Sequence, residues 1–210
     1  MKYIFVAGAP GSKWSSVVKN IYYSPDIDRS DYRDHWTYYH DASGRRELMH
    51  LGAYFDPGME CSLPEYFNAT TRYQAERIFN NPFSESYTEQ YRIIKSHVFC
   101  YQENIEYLRR TFPDAPIVLV HRGDDACLGW WVKCGHFDIT YPRYDSYYKN
   151  LRTMAGIIKQ QNHGIVNATL AYPGRTPYDN RELCKLLGLA PPPEEYSQVY
   201  ELADVKVVVI

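Results

Sequence analysis

A chain of 210 residues with 45% hydrophobic and 23% charged residues has the make-up of an ordinary folded protein of one domain, which excludes a disordered or fibrous one. A formal charge of -2 argues against a broad polyanion-binding surface and against nucleic acid as the partner, so any nucleotide has to be held by a local site. The five cysteines (Cys61, Cys100, Cys127, Cys134 and Cys184) are odd in number and form no C-x-x-C pair, so they give no sign of a disulfide framework or a zinc site and fit a reducing, cytoplasmic setting.

Lys2 to Gly8 is a β-branched and aromatic run that reads as a strand, and Trp14 to Ile21 after the glycine-containing turn reads as a helix. The opening apolar stretch is too short and too soon interrupted by Pro10 and Gly11 for a signal peptide, and no run approaches the roughly 20 apolar residues of a membrane span. Residues 22–64 are rich in Tyr, Asp and Gly without a sustained period and read as loops and short pieces. A helix is expected from Ala69 to Asn80, with Tyr73, Ile78 and Phe79 as its apolar stripe and Asn81-Pro82 as its stop.

Tyr91 to Lys95 reads as the next strand, followed by a helix around Gln102 to Thr111 that ends at Pro113. The continuous apolar run Ile117 to Val120 has the character of a parallel strand covered on both faces, and a helix through Asp125 to Lys133 should follow. A longer helix fits Tyr144 to Gln161, Gly164 to Asn167 reads as a fourth strand, and Asp179 to Leu187 as a last helix closed by Gly188. Strands alternating with helices imply an α/β domain with a central, mainly parallel sheet flanked by helices. Pro191-Pro192-Pro193 sets a boundary at 193, and the strand-like run Val205 to Ile210 in the tail 194–210 is expected to join a sheet edge or to pair with a second copy as a homodimer.

Three strand ends carry chemistry. After the first strand, Pro10, Gly11, Ser12, Lys13, Trp14, Ser15 and Ser16 form a turn that opens a helix, where backbone N–H groups, the helix dipole and the Lys13 ammonium favour an anion. The turn is no Walker A loop, because Ser12 precedes Lys13 and Trp14 separates the lysine from Ser15. Lys95-Ser96-His97 ends the second strand at the edge where parallel sheets bind ligands, which suits His97 to proton chemistry or, equally, to a hydrogen-bonded structural role. Arg122, at the end of the third strand, offers a planar fork for a phosphate, or a structural ion pair with Asp124 or Asp125. His121-Arg122 stand where a Walker B acid would end its strand, so no magnesium requirement is expected.

In order and approximate spacing these motifs resemble the sulfotransferase family that uses 3′-phosphoadenosine 5′-phosphosulfate (PAPS). The family's P-K-S-G-T-T-W loop is similar to Pro10 through Ser16, its K-T-H strand end to Lys95-Ser96-His97, and its A-R-N-P-K-D segment to His121-Arg122-Gly123-Asp124-Asp125. The segment Glu182 to Leu189 looks like the closing L-C-x-F-L-G-L helix of bacterial members. The resemblance implies a three-layer P-loop NTPase-like fold and PAPS as donor, bound by residues 10–16 with Arg122 on the 3′-phosphate. It also implies His97 as general base and Lys13 or Lys95 steadying the leaving group. Residues 22–90 would shape the pocket for a small-molecule or glycan acceptor. This chain departs from the family at Gly11, where the loop lysine would stand, at Ser16, where the adenine-stacking Trp would stand, and at Gly129 or Trp130, in place of a phosphate-binding Ser. Two other readings fit the same residues, a P-loop kinase of a nucleotide or small metabolite and a non-catalytic nucleotide-binding protein.

Overall fold

The computed structural model describes residues 1–32, 38–40, 46–48, 51–56, 61–64, 67–84, 89–133, 148–194 and 204–210. Its centre is a five-stranded sheet built on β1 (Lys2–Gly8), which is flanked by β5 (Tyr91–Lys95) and β6 (Ile117–His121), both parallel to it. Outside β5 lies β4 (Ala53–Tyr54), also parallel, and outside β6 lies β7 (Lys206–Val209), antiparallel. A separate antiparallel pair is formed by β2 (Tyr38–His40) and β3 (Arg46–Leu48).

Period-two alternation along β1 splits the core. Tyr3, Phe5 and Ala7 enter one cluster, with Ala75 and Phe79 of α2 (Arg72–Asn80), Ile105 and Leu108 of α3 (Gln102–Thr111) and Ile165 and Ala168 of α5 (Leu151–Ala171). Ile4 and Val6 enter the other, with Val17, Val18 and Ile21 of α1 (Trp14–Tyr22) and Leu183 and Leu187 of α6 (Asn180–Leu187). Helices therefore cover both faces, and a strand buried on both sides reads as an unbroken apolar run. Each such side chain contributes about 1.5–3 kcal/mol of burial. Among the described residues no helix is long and apolar enough to cross a membrane.

The strands expected at Lys2, Tyr91 and Ile117 and the helices at Trp14, Gln102, Asp125 and Asp179 are present within a residue or two of the expected bounds. Two expectations are corrected. Gly164 to Asn167 is not a strand but lies inside α5, which starts at its N-cap Asn150 and runs through the segment. The β-branched pair Ile165-Val166 suits a strand locally, yet Ile158, Ile165 and Ala168 are buried at helical spacing. The part of that helix expected over 144–147 lies outside the described residues. Second, Tyr73 is 69% exposed, and Ala75 with Phe79 forms the buried stripe of α2. The helix starts late because Thr71 and Gln74 make a reciprocal capping box. The terminal strand takes the sheet-edge alternative as β7, with Ile117 and Ile210 exchanging backbone hydrogen bonds of 3.0 Å at its end.

Candidate functional site at the carboxyl edge of the sheet

Because β1, β4, β5 and β6 are parallel, their carboxyl ends share one edge, and antiparallel β7 brings its amino end there too. The turn after β1 is closed by the Ser12 N–H donating to the Ala9 carbonyl at 3.0 Å. Gly11 has φ 80°, and a Cβ on it would lie 2.1 Å from the Cys127 carbonyl oxygen of α4 (Asp124–Lys133), so the position requires glycine twice over. Lys13 is left-handed at φ 63° and forms the N-cap of α1 without a side-chain cap hydrogen bond. Its ammonium meets Asp204 Oδ1 at 3.2 Å. Pro10, Ser12, Trp14 and Ser15 are buried, Ser16 is half-buried, and among the described residues the Ser12 hydroxyl has no hydrogen-bond partner.

Arg122 follows β6 and reaches back across the turn. Its Nη1 donates to the Gly11 carbonyl at 3.0 Å, its Nε donates to Asp204 Oδ2 at 2.6 Å, and its Nη2 meets the same oxygen. Its ion pair is thus with the distant Asp204, not with Asp124, which accepts from Asn162 at 2.7 Å. Burial pushes the Asp204 carboxyl up, but Arg122 and Lys13 together outweigh it and hold the group below the usual carboxylate range. Two cations from different elements thus converge on one carboxylate.

On the other side of the turn, Lys95, Ser96 and His97 end β5. The His97 ring stacks on Trp14 with centroids 4.1 Å apart, its Nδ1 bonds the Gly8 carbonyl, and its Nε2 lies 3.5 Å from Asp56 Oδ2. Asp56, just past β4, accepts from the Ser96 hydroxyl and the His97 N–H, both at 2.9 Å. Burial pushes His97 down and Asp56 up, and in each case the partner opposes the effect. Lys95 Nζ has no hydrogen-bond partner among the described residues and lies 5.6 Å from the Trp14 ring centroid and 5.4 Å from that of Tyr54. Burial lowers its pKa to about 7 against the pull of Asp31 and Asp56, while burial raises Asp31 to about 7.

The structure thus brings the turn, His97, Lys95 and Arg122 to one edge, but in two groups. Trp14, Lys95 and His97 form the interior group, and Lys13, Gly11 and Arg122 the outer one. Asp31, Tyr54, Asp56 and Asp204 were not singled out from the sequence. Asp56 leaves a trace there, an acid closing the short apolar run Ala53-Tyr54-Phe55 before Pro57, while nothing marks Asp204.

No family model, curated protein or solved structure matches this chain. A cleft of about 670 Å³ opens at the opposite edge of the sheet, lined by Tyr91, Pro116, Arg175 and Ile210 among others, and it holds none of the site residues above.

Proposed function

We propose that the chain is a PAPS-dependent sulfotransferase on a three-layer P-loop NTPase-like fold, acting on an acceptor hydroxyl or amine. The observation that carries this reading is the convergence of Lys13 and Arg122 on a single carboxylate beside the turn that opens α1, since groups that hold a carboxylate at 3.2 and 2.6 Å also suit a phosphate or sulfate. In this reading Arg122 and Lys13 hold the donor's phosphate charge, and the first turn of α1 adds the positive end of its dipole. Bound PAPS supplies an electrophilic sulfuryl group. His97 Nε2 takes the acceptor's proton, because Nδ1 is committed to the Gly8 carbonyl. Lys95, at the end of β5, adds positive charge beneath the turn when it is protonated.

The test is thermal stabilisation, because a ligand bound by the native state alone raises stability by about 2.7 kcal/mol at a hundred times its Kd. Adenosine 3′,5′-bisphosphate without magnesium should raise Tm, and Arg122→Ala should weaken that binding at least about tenfold, the loss of one charged hydrogen-bonding partner. Stabilisation by ATP with magnesium and none by the bisphosphate would overturn the reading in favour of a kinase.

One observation favours a second reading, a non-catalytic nucleotide-binding protein: His97 is only 4% exposed beneath Trp14. That protein would bind the bisphosphate yet pass no label from PAPS to any acceptor.

A further inference from the structure

Hydrogen-bond chemistry fixes part of the protonation of His97. A carbonyl oxygen can only accept, so Nδ1, bonded to Gly8, carries a proton. Nε2 is then the second ring nitrogen, and it faces Asp56 Oδ2 at 3.5 Å. If His97 were neutral and Asp56 ionised, two lone pairs would face each other in the interior, where the low dielectric makes such a mismatch costly. The other Asp56 oxygen already accepts from the Ser96 hydroxyl and the His97 N–H. We infer that Asp56 and His97 hold one proton between them, which makes Asp56 the positioning residue that keeps the imidazole bonded to the Gly8 carbonyl.

Among the described residues, the following groups face this pair. Tyr54 of β4 donates to the Asp56 carboxylate. Lys95 of β5 faces both partners, and Asp31 acts on it in turn. The Cys100 thiol faces Asp56 and is pushed up by burial, so it stays neutral. Trp14 of α1 covers the ring. Burial disfavours charge on both partners and so favours the arrangement with the proton on the carboxyl.

The consequence for transfer rests on the sulfotransferase reading; the proton count does not. With the proton on Asp56, the carboxyl O–H faces the single Nε2 lone pair, which takes the proton of the acceptor once the carboxyl turns aside, as the acceptor's bond to sulfur forms and the sulfur bond to the bridging oxygen breaks. With the proton on Nε2, the base is spent. Asp56 thus sets the fraction of His97 competent as a base.

The deciding experiment is NMR of the full chain carrying ¹⁵N in its histidine rings and ¹³C in its aspartate carboxyls. At neutral pH either Nε2 of His97 bears a proton or the Asp56 carboxyl shows the protonated-acid shift. An unprotonated Nε2 beside an ionised Asp56 overturns the inference, and this readout needs no variant. In Asp56→Asn the ring should keep its Nδ1 proton while Nε2 becomes a plain acceptor at all pH values above its titration. If the protein turns over, the kcat of that variant should rise by the share of parent molecules whose proton sits on Nε2, with donor affinity unchanged. The acid limb of its pH profile should move to lower pH, because the carboxylate that raises the His97 pKa is gone. A variant with the parent's Nε2 signal and pH profile would equally sink the shared proton. Absence of turnover in the parent would count against the transferase alone.

Discussion

A fully buried ammonium group is costly to fold around unless it gives up its proton. Lys95 is in that position, and burial lowers its pKa to about 7 from an ordinary 10.5. Between those values the unfolded chain binds a proton that the folded chain does not, so this residue makes stability rise with pH across the window; below about 7 the full penalty stands. Lys95→Met should therefore be more stable than the parent at neutral pH by about 2 kcal/mol, in line with other buried charges replaced by apolar groups of similar size. The advantage should shrink as pH rises toward 10.5, and urea midpoints at neutral and alkaline pH check it. A variant less stable than the parent at both would mean that Asp31 and Asp56 stabilise the charged lysine more than burial penalises it. A stability cost kept at this position is what a functional group at a strand end would explain.

At the scale of elements, close backbone approach decides where the sequence misleads. A Cβ on Gly164 would lie 2.1 Å from the Cys100 carbonyl oxygen, so α5 rests directly on the 3₁₀ turn His97–Cys100 that carries the imidazole. Gly164→Ala should cost about 1–3 kcal/mol, the usual effect of overpacking. Gly156, in the same helix, has nothing within 4 Å of an added Cβ, and Gly156→Ala should instead stabilise by about 0.4–1 kcal/mol. Denaturant midpoints compare the two, and equal effects would refute the close contact. Gly164 to Asn167 reads as a strand because a short run with β-branched residues cannot be told from a buried helix segment by period alone. Strands such as Lys2–Gly8 and Tyr91–Lys95 were legible because local pattern and tertiary burial agree. Ala53–Tyr54 is a strand only because β5 is beside it. The site divides likewise. Lys13, His97 and Arg122 are legible as strand-end residues, whereas Asp56 meets His97 across 41 positions and Asp204 meets Arg122 across 82, pairings that no local pattern encodes.

For the molecule as a whole, the antiparallel course of β7 matters most, because it returns the chain to the edge where the parallel strands end. Asp204 stands two residues before that strand and is therefore a tethered anion, present at Lys13 and Arg122 at a high effective concentration. Any phosphate or sulfate that uses both cations has to displace it. Asp204→Asn removes the competing charge but keeps the side-chain shape, and adenosine 3′,5′-bisphosphate should bind it about tenfold more tightly, roughly 1.4 kcal/mol. Stability should fall by no more than about 1 kcal/mol, since the carboxylate is 44% exposed and its ion pairs are screened by solvent. Calorimetric titration at one fixed salt concentration measures the first effect, and Lys13→Ala in the same background should take the gain away. Weaker binding to Asp204→Asn would mean the opposite role, a carboxylate that holds the guanidinium in place for its ligand.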